Sequence, residues 1–157
     1  MANKKLNPRS FYGRQPQIGF RIPAVSAARL DRLARLSGRP RAFYNVEALL
    51  MLMEELEGSL MDEARLNELS NTLLPRGGRK TLVSFGIEPE LMKRVEAQSV
   101  ATGYSRSAIN ALALLMHIAD LEKIYLREQQ GVKEALVARA VQKAAVTPRR
   151  VKTTEAR

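Results

Sequence analysis

The feature that most constrains the fold of this chain is a pattern that occurs twice. In QIGFRI (17–22) and in LVSFGI (82–87), apolar residues alternate with other residues, which is typical of a short β-strand with one buried face. A helical stretch follows each segment, and a glycine ends it after the same number of residues, Gly38 in the first copy and Gly103 in the second. One strand and two helices leave the strand edges without hydrogen bonds, so we expect the copies to pair through their strands.

In the first copy, Pro23 ends the strand and suits the first turn of a helix. The spacing of apolar residues predicts a second helix that ends at Gly58, preceded by about two more residues than its counterpart in the second copy. Residues 59–74 predict an acidic connecting helix, and the PRGG segment at 75–78 interrupts it.

In the second copy, a helix is predicted from about Pro89 to Gly103, and Ser105 or Ser107 is expected to cap the next helix. Residues 119–146 are rich in alanine and valine and predict further helix, with a break near Gly131. The basic segment that follows is expected to be disordered.

Antiparallel pairing of the two strands would sort their side chains onto two faces. The apolar positions would point into a core covered by the helices: Ile18, Phe20, Ile22, Val83, Phe85 and Ile87. The outward face would carry Gln17, Gly19, Arg21, Lys80, Leu82, Ser84 and Gly86. A two-stranded ribbon fits the major groove of B-DNA, so these outward residues are candidates for contacts with base edges.

Charge is segregated along the chain, whose formal net charge is +10. Residues 1–45 contain ten lysines and arginines and a single acid, Asp31, whereas residues 46–75 contain seven acids and a single base, Arg65. A strong excess of positive charge favours nucleic acid or an anionic membrane surface as the partner. The deep, narrow major groove of RNA would not admit a ribbon, which favours DNA.

The composition also argues against several classes of protein. With no cysteine and one histidine, His117, we expect no disulfide, no metal site and no nucleophilic dyad, and therefore no catalytic residues, no cofactor and no enzyme activity. The N-terminus lacks the apolar region of a signal peptide, and the apolar runs are much shorter than the roughly 20 residues that span a bilayer. We expect a soluble, cytoplasmic protein with no membrane partner.

These motifs resemble the ribbon-helix-helix (MetJ/Arc/CopG) family of DNA-binding proteins. LVSFGIEPELMKRVEAQSVATGYSRSAINALALLM (82–116) looks like a CopG-type unit, and PQIGFRIP (16–23) is similar to the base-reading strand of Arc, with Gly19 in place of the middle side chain. Two units in one chain resemble the tandem, TraY-like members, which are relaxosome accessory proteins and regulators of conjugative plasmids. The resemblance covers about residues 16–57 and 79–118.

The resemblance implies a mainly α protein with short β, in which two ribbon-helix-helix units pair through an antiparallel two-stranded β-ribbon and a C-terminal helix follows. It also implies a bacterial, DNA-associated location and phosphate contacts at the start of each second helix. The phosphate candidates are Ser105, Arg106 and Ser107 in the second copy and Arg39, Arg41 and Asn45 in the first. The predicted segments are a flexible basic arm (1–15), repeat 1 (16–58), an acidic helical linker (59–78), repeat 2 (79–119), a helical extension (120–146) and a basic tail (147–157).

The chemistry of the outward residues suggests what they would recognise. Arg21 can donate two hydrogen bonds to guanine and Gln17 can pair with adenine, while Lys80 and Ser84 are the candidates on the second strand. Leu82 would suit either a thymine methyl group or a protein interface. Double-stranded DNA is therefore the expected partner, and the function is that of a transcriptional regulator or a relaxosome accessory protein.

Two questions stay open at this point. If the repeats pair within one chain as a pseudo-dimer, the DNA target should be non-palindromic; if they pair between chains of a homo-oligomer, it should be two-fold related. The alternative function is an oligomeric adaptor that binds a protein, either antitoxin-like or a scaffold. In either case the C-terminal region is a candidate site for a relaxase or another protein.

Overall fold

The computed structural model describes residues 15–74 and 76–146. It is mainly helical, with a two-stranded antiparallel sheet and five helices. The elements in chain order are β1 (Gln17–Pro23), α1 (Ala24–Ser37), α2 (Arg41–Glu57), α3 (Glu63–Leu73), β2 (Lys80–Gly86), α4 (Pro89–Thr102) and α5 (Arg106–Val146). The predicted basic arm, apart from Gln15, and the predicted basic tail lie outside the described residues.

The two strands pair with each other, so the ribbon forms within one chain. Its antiparallel register places Gln17 opposite Gly86, Gly19 opposite Ser84 and Arg21 opposite Leu82. All six residues predicted to face inward are buried, because the strand alternation puts them against the helices: Ile18, Phe20, Ile22, Val83, Phe85 and Ile87.

Glycine ends the first helix of each copy, as predicted. Gly38 follows α1 with a φ of 70° and Gly103 follows α4 with a φ of 77°, and this left-handed conformation costs glycine little. The prediction of about two extra residues before α2 is wrong, because α2 and α5 both begin on the third residue after this glycine, at Arg41 and Arg106.

The segment Arg41–Asn45 belongs to α2 because two of its aromatic residues pack. Phe43 and Tyr44 both meet Tyr125 of α5 edge to face, with ring centroids 5.4 Å and 5.3 Å apart. These contacts cover one side of the first turn of the helix, so residues that read as loop in the sequence are helical.

The core lies between the buried face of the ribbon and the helices, with α2 packed along α5. A buried hydrogen bond joins these two helices: Asn45 Nδ2 donates to Asn110 Oδ1 over 3.1 Å. The two asparagines are counterparts, 65 positions apart, in the two strand–helix–helix segments.

Two ion pairs tie the segments together reciprocally. Arg29 of α1 donates its Nε to Glu122 of α5 over 2.8 Å, and Arg94 of α4 donates its Nε and Nη2 to Glu57 of α2, both over 2.8 Å. The offset that relates the asparagines also relates Arg29 to Arg94 and Glu57 to Glu122. Each segment therefore gives one arginine and one glutamate to the other.

Helix α3 connects the segments and is shorter than the predicted span of 59–74. Asp62 caps it by accepting a hydrogen bond from the backbone N–H of Arg65 over 2.8 Å. Leu66 is buried against the core, and Asn67 accepts a hydrogen bond from the hydroxyl of Tyr104. The acidic connection is thus packed against the rest of the molecule.

Helix α5 runs for 41 residues without interruption, so the predicted break near Gly131 is wrong. A single glycine costs a helix about 1 kcal/mol relative to alanine, and its strongly helix-forming neighbours outweigh that cost. All residues from 130 to 145 are exposed, which leaves the distal part of α5 without tertiary cover in the described part of the chain. Within that same part, no helix has the length and apolar character needed to cross a membrane.

Candidate nucleic-acid interface

The outer face of the ribbon is formed by the residues that the alternation places there. Its six candidate base-reading residues are all exposed: Gln17, Gly19, Arg21, Lys80, Leu82 and Ser84. Gly86 is half-buried at the end of β2. Across the strands, the hydroxyl of Ser84 donates to Gln17 Oε1 over 3.3 Å. The structure therefore brings both sets of candidates onto one surface.

This face is not symmetric about its centre. Gly19 and Ser84 lie opposite each other and are also counterparts at the 65-residue offset, so they mark the middle of the ribbon. On one side of them Arg21 faces Leu82, whereas on the other side Gln17 faces Gly86. Charge and apolar surface are thus concentrated on one half.

Gly19 leaves the middle of the outer face open. A Cβ atom at this position would lie 3.8 Å from the Val83 carbonyl oxygen and 3.9 Å from Leu82 Cδ1, both ordinary contact distances. The side chain of Leu82 therefore leans from β2 toward the space that Gly19 does not fill.

The N-terminus of α5 adjoins the ribbon. Ser107 Oγ donates to the Gly19 carbonyl over 2.7 Å, and Ser105 Oγ caps the helix by accepting from the Ala108 N–H over 3.1 Å, so of the two predicted caps Ser105 is observed. A shallow cleft between this helix and the ribbon is lined in part by Arg21, Lys80 and Ser107. The free N–H groups and dipole of the first turn add to the positive field beside Arg21 and Lys80.

Arg106 and Arg41 open their helices in matching ion pairs that the sequence interpretation missed. Arg106 Nη1 lies 3.1 Å from Glu96 of α4, and Arg41 Nη1 lies 3.1 Å from Asp31 of α1. Each acid precedes its arginine by 10 residues, and this shared spacing is the signal from which the pairs could have been found. All four side chains are about half exposed, so the two arginines stay accessible to solvent.

The other two candidates of the first copy have different surroundings. Arg39 is exposed and stacks on two rings, with its guanidinium carbon 4.6 Å from the Phe43 centroid and 4.9 Å from that of Tyr125. Asn45 is 1% exposed and bonded to Asn110, so its assignment as a phosphate-binding residue is corrected. Because α2 begins about one turn earlier than predicted, Asn45 lies within the helix and faces the interface with α5.

His117 lies apart from this surface. Its Nε2 is 3.1 Å from Glu55 Oε1 and its Nδ1 is 3.8 Å from Asp120 Oδ2, and the imidazole is buried between α2 and α5. Among the described residues there is no cluster of three or more histidine, cysteine, aspartate or glutamate side chains arranged to hold a metal ion.

Comparison of the chain with family models, curated proteins and solved structures gave no match. The arguments for function therefore come from the residues and from their arrangement.

Proposed function

We propose that this protein binds double-stranded DNA in a sequence-specific manner by inserting the β1–β2 ribbon into the major groove. In this proposal the two strand–helix–helix segments are tandem ribbon-helix-helix units that pair within one chain. The observation that carries it is the exposed outer face of the ribbon, where Gln17, Arg21, Lys80 and Ser84 lie together beside the N-terminus of α5.

The reciprocal contacts between the segments support pairing within one chain. The Asn45–Asn110 hydrogen bond and the two arginine–glutamate pairs join positions that are equivalent at the 65-residue offset. Such contacts are what a two-fold dimer has when its two subunits are fused in sequence. The asymmetric outer face then favours a non-palindromic target.

The proposed roles divide the residues into readers and anchors. Arg21 and Gln17 read bases, together with side chains of β2, whereas Arg106, Arg41 and the first turn of α5 hold phosphates and set the orientation of the ribbon. The biological role would be transcriptional regulation or, as the TraY-like resemblance implies, an accessory role in a relaxosome of a conjugative plasmid.

The first test is selection from a random pool of double-stranded DNA at near-physiological salt. We expect an enriched, non-palindromic motif and an affinity that falls steeply with salt, by roughly a thousandfold between low and moderate salt if about 6–10 phosphates are contacted. Retention of DNA with no enriched motif would contradict base reading, and a palindromic motif would contradict pairing within one chain.

Two variants test the division of roles. Arg21→Ala should cost about 1–3 kcal/mol on the selected target and relax base preference at one position, whereas Arg106→Ala should weaken binding to all sequences alike. Arg32→Ala, which removes a positive charge from the exposed side of α1, is the matched control. Equal losses on all sequences for Arg21→Ala would rule out direct reading by this residue.

A second candidate function is that of an adaptor that binds a protein, such as a relaxase, through its C-terminal region. The observation that favours it is the distal part of α5, where Val132, Leu136, Val137 and Val141 are exposed. An absence of DNA binding at low salt, together with salt-insensitive association in sedimentation experiments, would support this function over DNA reading.

A further inference from the structure

We propose that Leu82 recognises a thymine methyl group in the half of the DNA target that Arg21 contacts. The DNA target would then be asymmetric. One half would contain a guanine for Arg21 and a thymine for Leu82, and the other half would be contacted mainly by Gln17. This inference rests on the proposed DNA-binding function and extends it to the composition of the site.

The exposure of Leu82 requires an explanation. Leu82 is 62% exposed, whereas the other large apolar residues of β2, Val83 and Phe85, are buried. The other candidate readers on this face are Gln17, Gly19, Arg21, Lys80 and Ser84, none of which is a large apolar residue. A protein-binding surface normally has a contiguous apolar patch, whereas a single apolar group among polar readers matches the pattern of the major groove, where thymine alone presents a methyl group.

The register places Leu82 where it can share a site with Arg21. The two residues are directly opposite in the antiparallel ribbon, so their Cβ atoms are about 4.5–5.5 Å apart. Successive base pairs are about 3.4 Å apart along the helix axis. A guanine bound by Arg21 and a thymine methyl group in contact with Leu82 would therefore lie on the same or adjacent base pairs.

The side chain of Leu82 lies close to Gly19 at the centre of the ribbon. Leu82 Cδ1 lies 3.9 Å from the position that a Gly19 Cβ atom would occupy, so the isobutyl group lies toward the centre of the ribbon and not toward its edge. The other half of the face has no equivalent apolar group, because Gln17 lies opposite Gly86. Recognition of a methyl group would therefore be confined to one half.

The test removes single methyl groups from the DNA. Each thymine of the selected target is replaced in turn by uracil, which lacks only the 5-methyl group, and the affinity is measured for the full-length wild type, Leu82→Ala and Arg21→Ala. We expect one uracil, on or next to the base pair at which Arg21→Ala relaxes preference, to weaken wild-type binding about fourfold. Leu82→Ala should be insensitive to that uracil, whereas Arg21→Ala should still respond to it.

Two outcomes would overturn the inference while leaving the proposed function intact. One is an enriched target whose binding is unaffected by uracil at any position near the Arg21 contact; the other is an unchanged uracil effect in Leu82→Ala. A chain that selects no DNA would overturn the proposed function and this inference with it. Because Leu82 is exposed, its replacement by alanine should leave the melting temperature close to that of the wild type, which is checked in parallel.

Discussion

At the scale of single residues, Gly19 leaves the centre of the outer ribbon face without a side chain. The residue is exposed at the centre of the ribbon, its carbonyl accepts a hydrogen bond from Ser107, and Leu82 leans toward the space above it. Its backbone does not require glycine, because an added Cβ atom would make only ordinary contacts. If the ribbon binds DNA as proposed, we therefore expect this glycine to matter for the close approach of the ribbon to DNA and not for folding.

Gly19→Ala should accordingly separate stability from binding. We expect an increase in the free energy of unfolding of about 0.5–1 kcal/mol, because glycine weakens a strand interior, together with weaker binding to the selected DNA. Chemical denaturation and a DNA titration on the same preparation measure both quantities. The same substitution at Gly131, an exposed position in distal α5, is the control that should leave DNA binding unchanged. Unchanged binding by Gly19→Ala would mean that close approach at this position is not needed.

At the scale of the elements, the interface of α2 and α5 is mostly apolar but contains a buried contact between two amide side chains. Asn45 and Asn110 are both almost fully buried and their side chains bond to each other. Removal of one partner leaves the other amide buried without its hydrogen bond, which is costly, whereas removal of both leaves only a cavity.

We therefore expect the two asparagines to be coupled. Asn45→Ala and Asn110→Ala should each lower the free energy of unfolding by about 1–3 kcal/mol, and the double variant should lose less than the sum of the two by about 1 kcal/mol. Denaturant unfolding of the four proteins completes the cycle. Strictly additive losses would show that the hydrogen bond contributes nothing beyond the packing of each side chain.

At the scale of the whole molecule, the two segments are held together by contacts that recur at equivalent positions. The Arg94–Glu57 pair joins α4 of the second segment to α2 of the first, and hydrogen bonds from Arg94 lower the pKa of Glu57 below its usual value of 4.5. A carboxylate with a lowered pKa stabilises the folded state above its unfolded pKa, and this contribution is lost as the pH falls through the folded pKa.

The stability difference between the wild type and Glu57→Gln should therefore depend on pH. Because both side chains are well exposed, we expect the wild type to be more stable by at most about 1 kcal/mol at pH 7, with the difference vanishing as the pH falls below about 4.5. Thermal unfolding from pH 7 to pH 3 measures it, with Glu63→Gln, which changes an exposed acid on α3, as the control. A difference that persists or grows in acid would contradict this account.

Much of the local structure could be predicted from single stretches of sequence. The alternation in QIGFRI and LVSFGI predicts which strand residues are buried, and Gly38 and Gly103 mark the ends of α1 and α4, because both signals depend on residues close together in the chain. The outward placement of Arg21, Leu82 and Ser84 follows from the same two-residue period.

One error arose where distant residues decide the outcome, and another arose because the local effect of a single glycine was overestimated. Asn45 reads as part of a polar turn, but the packing of Phe43 and Tyr44 against Tyr125 extends α2 and buries the asparagine against Asn110. Gly131 reads as a helix break, but in α5 the cost of one glycine is small beside the helix propensity of its neighbours.

The sequence by itself determined the two alternating strands, the helices that follow them and the residues on the outer face of the ribbon, since these depend on local periodicity and backbone preference. Only the tertiary structure decided that β1 pairs with β2 of the same chain, that Arg21 faces Leu82 while Gln17 faces Gly86, and that arginine–glutamate pairs cross between the segments. Strand register and helix packing depend on the fit of side chains that are far apart in sequence, and local patterns carry no information about that fit.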